Sequence, residues 1–460
     1  MSFIGRKREQ ERLLAQFSSP AQSATLVYGR RRVGKSELIL HAMRQANGTR
    51  TIYYECRQTT AENNTRNLSE VIAEAFEMPP LAFSDVEAAL RFVFKRAASE
   101  KIVLAIDEYP YLRDVVKGMD SIIQVLLDEH RDRSHLSLIL CGSYVGVMES
   151  LLERDNPLYG RIDLKINLQP MDYYESAQFY PERSCEDKVR LFSVFGGIPY
   201  YNRLIDKNAS VRENLIRLIL EPDARLEDEV PSYLLSEISK IGNAHEIFSA
   251  LADGHARYRD ILSQSHVSSG ATLVNVLNRL IGMQLVQRCT PINNPNNKKR
   301  TSYVICDGLS KFYYRYVFRY LSQRSVLDPE VFYDRYVNDD FEAQFVPHAF
   351  EEVCRQYLVR QNRMGNIEPP FDLIGTYSYD DPATRTNGEF DVVTRDPLGY
   401  AFYEAKFRST PITQRMIEEE IERVQRTGLV CHRYGFFSRS GFEAQADERT
   451  VLIGLEELYR

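Results

Sequence analysis

The run Gly29-Arg30-Arg31-Arg32-Val33-Gly34-Lys35-Ser36 fits the pattern G-x-x-x-x-G-K-[ST], with an apolar stretch, Ala24 to Tyr28, before it and a helical stretch, Ser36 to Gln45, after it. Residues of these types at this spacing hold a triphosphate. The glycines let the main chain approach phosphate oxygens, and the opening turn of the helix aims its N–H groups at the anion. Lys35 reaches the terminal phosphates as a catalytic cation, and the Ser36 hydroxyl is a ligand for Mg²⁺. The nucleotide contacts are therefore expected from Gly29, Arg30, Arg31, Arg32, Val33, Gly34, Lys35, Ser36 and Glu37. Arg30, Arg31 and Arg32 fill the variable positions and read equally as solvated cations.

A second apolar stretch, Ile102 to Ile106, ends in Asp107-Glu108. Ligands of open α/β sheets sit at the carboxyl ends of strands, so Asp107 is expected in the Mg²⁺ shell. Glu108 would orient or deprotonate an attacking water. A third stretch, Leu136 to Cys141, leads to Gly142-Ser143, which makes Ser143 either a sensor of the last phosphate or an ordinary turn hydroxyl. Arg161, in Pro157-Leu158-Tyr159-Gly160-Arg161, is a candidate arginine finger or a surface cation.

Far downstream, Glu389-Phe390-Asp391-Val392-Val393 and Tyr403-Glu404-Ala405-Lys406-Phe407 flank the turn Arg395-Asp396-Pro397-Leu398-Gly399, which predicts a hairpin. Residues two apart on a strand share a face, so Glu404 and Lys406 project together, and pairing brings Asp391 beside them. Two such acids could hold a second divalent metal that polarises a phosphodiester and its water, with Lys406 stabilising charge. Glu351, in the upstream helix, could complete the metal shell. An ordinary hairpin with one wet face is the alternative reading.

These residues need elements to carry them. From Thr25 to about Lys165 strands and helices alternate, which predicts a parallel sheet covered by helices, and so an α/β protein built on residues 1–168. Helical periodicity over Ser210 to Leu220 and Ser232 to Ile241 predicts a helical lid over 169–240. Residues 241–327 follow the order of a winged helix: three helices, a strand at Leu285 to Thr290, an Asn- and Lys-rich wing, and a strand at Thr301 to Cys306. Residues 328–460 read as a further α/β domain.

Thr272, Asn275 and Arg279 form the polar face of the helix in the recognition position, and Lys298, Lys299 and Arg300 stand in the wing. Such residues suit base edges and phosphates, so DNA is the expected partner, with protein contact as the alternative use of the module. The helix Lys311 to Tyr320 mixes aromatic residues with cations and reads as core packing with snorkelling stems. The net charge of −6 gives no global attraction to nucleic acid, so any such binding must be local.

At 460 residues the chain exceeds what one core supports. Its apolar runs are too short to span a bilayer, and no secretory signal opens it, so a cytoplasmic protein with no membrane contact is expected. The 7 cysteines include no CxxC pair, which argues against a disulfide framework or a zinc ribbon.

The chain resembles the archaeal-type ATPases of the STAND and AAA+ branch of P-loop NTPases. The matching pieces are Phe3-Ile4-Gly5-Arg6, the run Tyr28 to Ser36, Asp107-Glu108, Pro157 to Arg161, and Phe195-Gly196-Gly197-Ile198-Pro199-Tyr200-Tyr201. The resemblance implies ATP as the nucleotide, with Gly5 and Arg6 flanking it. In the second half the chain is similar to proteins in which a winged helix precedes a PD-(D/E)XK nuclease-like domain. That implies a DNA-processing role for Asp391, Glu404 and Lys406, although Phe390 stands where the motif's proline belongs. The rival expectation is an ATP-regulated switch or scaffold with an inert C-terminal domain, in which Arg161 acting in trans would favour a homo-oligomer.

Overall fold

The computed structural model describes residues 3–232, 244–297, 299–381 and 386–460. The chain divides into two compact units, Met1–Met171 with Ile198–Tyr200, and Asp172–Gly197 with Tyr201–Arg460.

The first unit is built on a five-stranded sheet in the order β2-β3-β4-β1-β5. Its strands are β1 (Ser23–Tyr28), β2 (Arg50–Glu55), β3 (Ile102–Asp107), β4 (Leu136–Gly142) and β5 (Leu164–Asn167). Every pairing is parallel. β1, β3 and β4 are buried along their whole length, which is why they read as unbroken apolar runs and not as alternating ones. Leu26, Leu104, Ile106, Leu138 and Leu140 pack with Leu68, Ile72, Val93, Phe94, Ile123 and Leu126 from the covering helices.

Those helices begin where the sequence provides caps. Thr60 accepts from the Asn63 N–H and Asp85 from the Ala88 N–H, each satisfying an otherwise orphaned donor. Helix α1 (Lys7–Ser18) precedes the sheet, and α2 (Lys35–Arg44) leaves β1. Between β3 and β4 run α3 (Tyr109–Val115) and α4 (Met119–His130). The order matters for chemistry: β4 lies between β1 and β3, so the residue after β4 falls between the ends of the other two.

In the second unit the expected helix from Ser210 is present as Val211–Leu215 continued by a π turn, Ile216–Leu220, with Ser210 and Glu213 forming a capping box. The other expected lid helix, Ser232 to Ile241, lies outside the described residues after Ser232. The winged-helix order is observed: α5 (Ala244–Ala252), α6 (Tyr258–Gln264), α7 (Gly270–Gly282), then β6 (Val286–Cys289) antiparallel to β7 (Ser302–Ile305). Over Lys311 to Tyr320 the rings of Phe312, Tyr314 and Tyr316 are buried, and Arg315 forks onto Asp340 at 2.6 and 2.7 Å. That segment packs.

After α8 (Val346–Arg363) comes a mixed sheet ordered β14-β12-β10-β9-β8. β8 (Leu373–Asp381), β9 (Thr386–Asp396) and β10 (Gly399–Lys406) are antiparallel neighbours, the last two forming the expected hairpin. β12 (Cys431–Ser438) runs parallel to β10, and β14 (Thr450–Gly454) parallel to β12, while the two-residue strands β11 (Ile412–Thr413) and β13 (Phe442–Glu443) pair with each other. Helix α9 (Gln414–Arg426) connects β10 with β12 and buries Ile417 and Val424 against Phe390, Phe402 and Phe436.

The wing differs from the expectation. Its Ile292 N–H donates to the Thr376 carbonyl at 2.8 Å, and Asn293 exchanges two hydrogen bonds with the main chain of Ser378 at 2.8 and 3.1 Å. Arg300 pairs with Asp380 at 2.5 Å, so a wing cation expected to meet phosphate is neutralised within the fold. Lys298 lies outside the described residues, and Lys299 is exposed. The physical reason is that β8 is an edge strand whose main-chain groups need partners, and the wing supplies them.

Candidate nucleotide site and candidate metal centre

The loop from Gly29 to Gly34 turns tightly. Gly29 has φ 148° and Gly34 φ 92°, and a Cβ at Gly29 would collide with the Leu168 carbonyl oxygen. Lys35 is buried, and its ammonium donates to the carbonyls of Gly29 at 2.9 Å and Arg30 at 3.1 Å, so the cation stands at the loop it is expected to serve. Arg31 donates to the Tyr144 hydroxyl at 3.3 Å, the Arg32 guanidinium lies 4.1 Å from the Tyr200 ring centre, and Arg30 is buried. Val33 is buried and Glu37 exposed.

The ends of β3 and β4 complete the site. Ser36 Oγ lies 2.5 Å from Asp107 Oδ2, bringing together the hydroxyl and carboxylate that the sequence assigns to Mg²⁺. Tyr53 also donates to Asp107, as does the Glu108 N–H at 2.8 Å. Burial alone would raise the Asp107 carboxyl; hydrogen bonds from Cys141, Ser36, Tyr53 and the Glu108 main chain outweigh it and hold the group below its ordinary value. A buried carboxylate kept charged beside a hydroxyl is a donor set that suits Mg²⁺, which takes one or two protein oxygens and completes its shell with phosphate and water.

Glu108 adopts left-handed backbone, φ 49°, a conformation that non-glycine residues reach at a cost. Both of its carboxylate oxygens accept from Ser143 Oγ, at 2.9 and 3.0 Å. Strand order explains this meeting, since β4 delivers Ser143 beside the end of β3. The next residue, Tyr109, is buried and donates to Asp120 at 2.6 Å, and Asp120 also accepts from Arg113 and Asn156 at 2.9 Å each. That polar knot fixes the helix on which Glu108 is mounted.

Two candidates take other positions. Arg161 forks onto Asp128 at 2.7 to 3.1 Å and donates to the carbonyls of Pro157 and Tyr159, so in this conformation it binds its own loop to α4. Arg6 is buried, and its guanidinium donates to the carbonyls of Val33 at 3.3 Å and Gln169 at 2.6 Å. It braces the phosphate loop from beneath, next to Gly5, whose φ is 66°. Arg6→Ala is expected to destabilise the protein by about 1–3 kcal/mol in urea unfolding, because buried carbonyls lose their donors.

Sequence reading missed Tyr53, Cys141 and Asp120. The apolar run Thr51 to Tyr54 reads as a strand, but which side chain meets Asp107 depends on which strands are neighbours.

In the second unit, β9 and β10 pair from Gly399 opposite Asp396 to Tyr403 opposite Val392, and Asp391 and Glu404 lie directly beyond the last pair. Lys406 bonds Glu404 and lies 3.9 Å from Glu420. Desolvation, then the negative charges of Glu351 and Glu404, push the Asp391 carboxyl up to about 7 against the pull of Arg355. Arg355, unmarked by the sequence, also donates to the Asp391 carbonyl at 3.1 Å. Glu351 and Glu404 thus both act on Asp391, yet among the described residues no three His, Cys, Asp or Glu side chains converge closely enough to hold a metal ion. Lys406 stands in the cation's place on Glu404.

A parallel sheet with a glycine loop after β1, acids closing β3 and a hydroxyl after β4 defines a P-loop nucleotide-hydrolase domain. Residues 3–204 match the model of an ATPase domain predominantly from Archaea, so the N-terminal part of the chain is an archaeal-type ATPase domain; residues 313–423 match a second family, of archaeal and bacterial proteins of unknown function. An uncharacterized protein of Methanocaldococcus jannaschii is 26% identical over 379 residues, 82% of this chain and 81% of that protein. A Walker-type ATPase of Pyrococcus abyssi superposes with a TM-score of 0.51 at 18% identity, covering 68% of this chain and 96% of the other, which places the two in one fold. Among the described residues no helix is long and apolar enough to cross a membrane.

Proposed function

We propose that this is a Mg²⁺-dependent, ATP-hydrolysing cytoplasmic protein that acts on DNA, with a nuclease-like centre in its C-terminal α/β domain. The observation that carries the first part is the meeting of Ser36 with Asp107 and of Glu108 with Ser143 beside the Lys35 cradle. In this reading Gly29 to Glu37 hold the triphosphate, Ser36 and Asp107 hold Mg²⁺, and Glu108 accepts the proton of the attacking water.

For DNA, support comes from α7, where Asn275 and Arg279 are exposed on the face opposite buried Leu273, Val276 and Leu280. For the nuclease-like centre it is the apposition of Asp391 with Glu404 and Lys406, a divalent metal being the group that would polarise a phosphodiester there. Lys406→Ala is expected to abolish nicking of supercoiled plasmid in Mg²⁺ or Mn²⁺ while ATP turnover persists. Wild-type protein that nicks no DNA form in either metal would remove the nuclease half.

That outcome would favour a second reading, an ATP-regulated switch or scaffold with an inert C-terminal domain. Its support is the Lys406–Glu404 pair, which occupies one carboxylate, and the wing's engagement with β8. Arg161 released from Asp128 could then act in a neighbouring copy. DNA binding that changes between ATP and ADP without cutting is the result this reading expects.

A further inference from the structure

A cavity of about 350 Å³ opens beside the hairpin, between the end of β10 and α9, and Glu404, Lys406, Arg408, Glu420, Arg423 and Arg426 contribute its charges. Most of these charges are matched. Lys406 bonds Glu404, Arg423 pairs with Glu420 at 3.0 Å, and Glu419 at the cavity rim is turned to Arg415 at 2.8 Å. Two are not: among the described residues no carboxylate pairs with Arg408 or Arg426.

Arg408 is the more telling of the two. Its Nη2 donates only to the Met416 sulfur, at 2.7 Å, and its Nε is sealed from solvent with no hydrogen-bond partner. A thioether is a weak acceptor, and a buried guanidinium N–H without an oxygen costs free energy that a ligand oxygen would recover. Oxygens presented in a plane or tripod to planar guanidinium forks are the chemistry of phosphate. A lysine pair would give charge without the fork; a carboxylate suits the fork as well, but it is the nuclease-like reading of this domain that supplies phosphate.

We infer that this cavity is a phosphate subsite for a nucleic-acid strand, with Arg408 and Arg426 as its cations. The inference rests on the nuclease-like reading of the same domain and extends it. Glu404 and Lys406 form one wall, so a strand whose reacting phosphate lies at Asp391 and Glu404 would place a neighbouring phosphate against the two arginines. A free nucleotide carries the same phosphate chemistry, but it has no second phosphodiester to occupy both places.

The test is binding of a short fluorescent single-stranded DNA to the full chain across a salt series, with deoxyadenosine monophosphate as a second ligand. Each phosphate contact on a single strand contributes about 0.7 to the slope of log affinity against log salt. The Arg408→Ala/Arg426→Ala double variant is expected to lower the slope by about 1.4, and Arg426→Ala alone by about half as much. The single variant keeps the test available if loss of Arg408 unfolds the domain. Arg415→Ala, a cation on the same helix but outside the cavity, is expected to leave the slope at the wild-type value.

Oligonucleotide bound with an unchanged slope in both arginine variants overturns the subsite while leaving DNA binding intact. An equal loss from Arg415→Ala also overturns it, since the effect would then be general helix charge. Weakened binding of the mononucleotide alone overturns the strand assignment. Wild-type protein that binds no DNA in any nucleotide state defeats the underlying reading instead, and the two failures are told apart by that control.

Discussion

Glu108→Gln is expected to lower steady-state ATP turnover by about 10²- to 10⁴-fold, the contribution of a positioned general base, while ATP affinity stays within a few fold of wild type. The asymmetry follows from where the groups lie. Binding donors are concentrated in the loop around buried Lys35, whereas Glu108 sits on the end of β3 with its carboxylate gripped by Ser143. The amide keeps the size of the side chain and can still bond Ser143, so the loop and the sheet are undisturbed. Phosphate-release kinetics beside calorimetric titration separate the two effects. Turnover within tenfold of wild type would mean that another group activates the water.

On the proposed nuclease-like reading, Asp391→Asn is expected to abolish DNA cleavage in Mg²⁺ or Mn²⁺, and, with metal chelated, to stabilise the protein at pH 8. Partial desolvation and the charges of Glu351 and Glu404 raise this carboxyl to about 7, above its ordinary 3.8, although the residue keeps exposed surface, so solvent screens part of the effect. The sign follows from proton uptake. Below about pH 4 the group is protonated whether folded or unfolded and costs nothing. Between about 4 and 7 the unfolded chain releases the proton first, so stability falls as pH rises, and above about 7 the full penalty persists. The amide removes that penalty, so the melting temperatures of variant and wild type should coincide near pH 4 and separate towards pH 8. A variant less stable than wild type at pH 8 would show that Asp391 is held by favourable contacts instead of being poised for a cation.

What could be read before folding was what the chain keeps local. Gly29 to Ser36 and Asp107-Glu108 are contiguous, and their flanking apolar runs are buried strands whose ends fix the chemistry. The hairpin carrying Asp391 and Glu404 was legible for the same reason: its turn, Asp396 to Gly399, lies between two strands of clear alternation. Contacts that depend on strand order were not legible. Tyr53 reaches Asp107 because β2 neighbours β3, and Ser143 reaches Glu108 because β4 lies between β1 and β3. Arg161 was ambiguous in sequence because its partner, Asp128, sits on a helix that no motif marks. The wing misled through its composition: Asn, Pro and Lys suggested a solvated loop, while the strand that receives it, Leu373–Asp381, escaped notice. Its signal was present in Tyr377 and Tyr379 alternating with Thr376 and Ser378.

That seat of Ile292 and Asn293 on Thr376 and Ser378 also guards the molecule against itself. An uncovered outer strand offers a row of amides and carbonyls to any other chain, and self-association through such rows leads to fibrous or amorphous precipitates. Deleting Ile292 to Asn294 should therefore shorten the shelf life of concentrated protein far more than it lowers the melting point, with scattered light rising before any loss of helical signal.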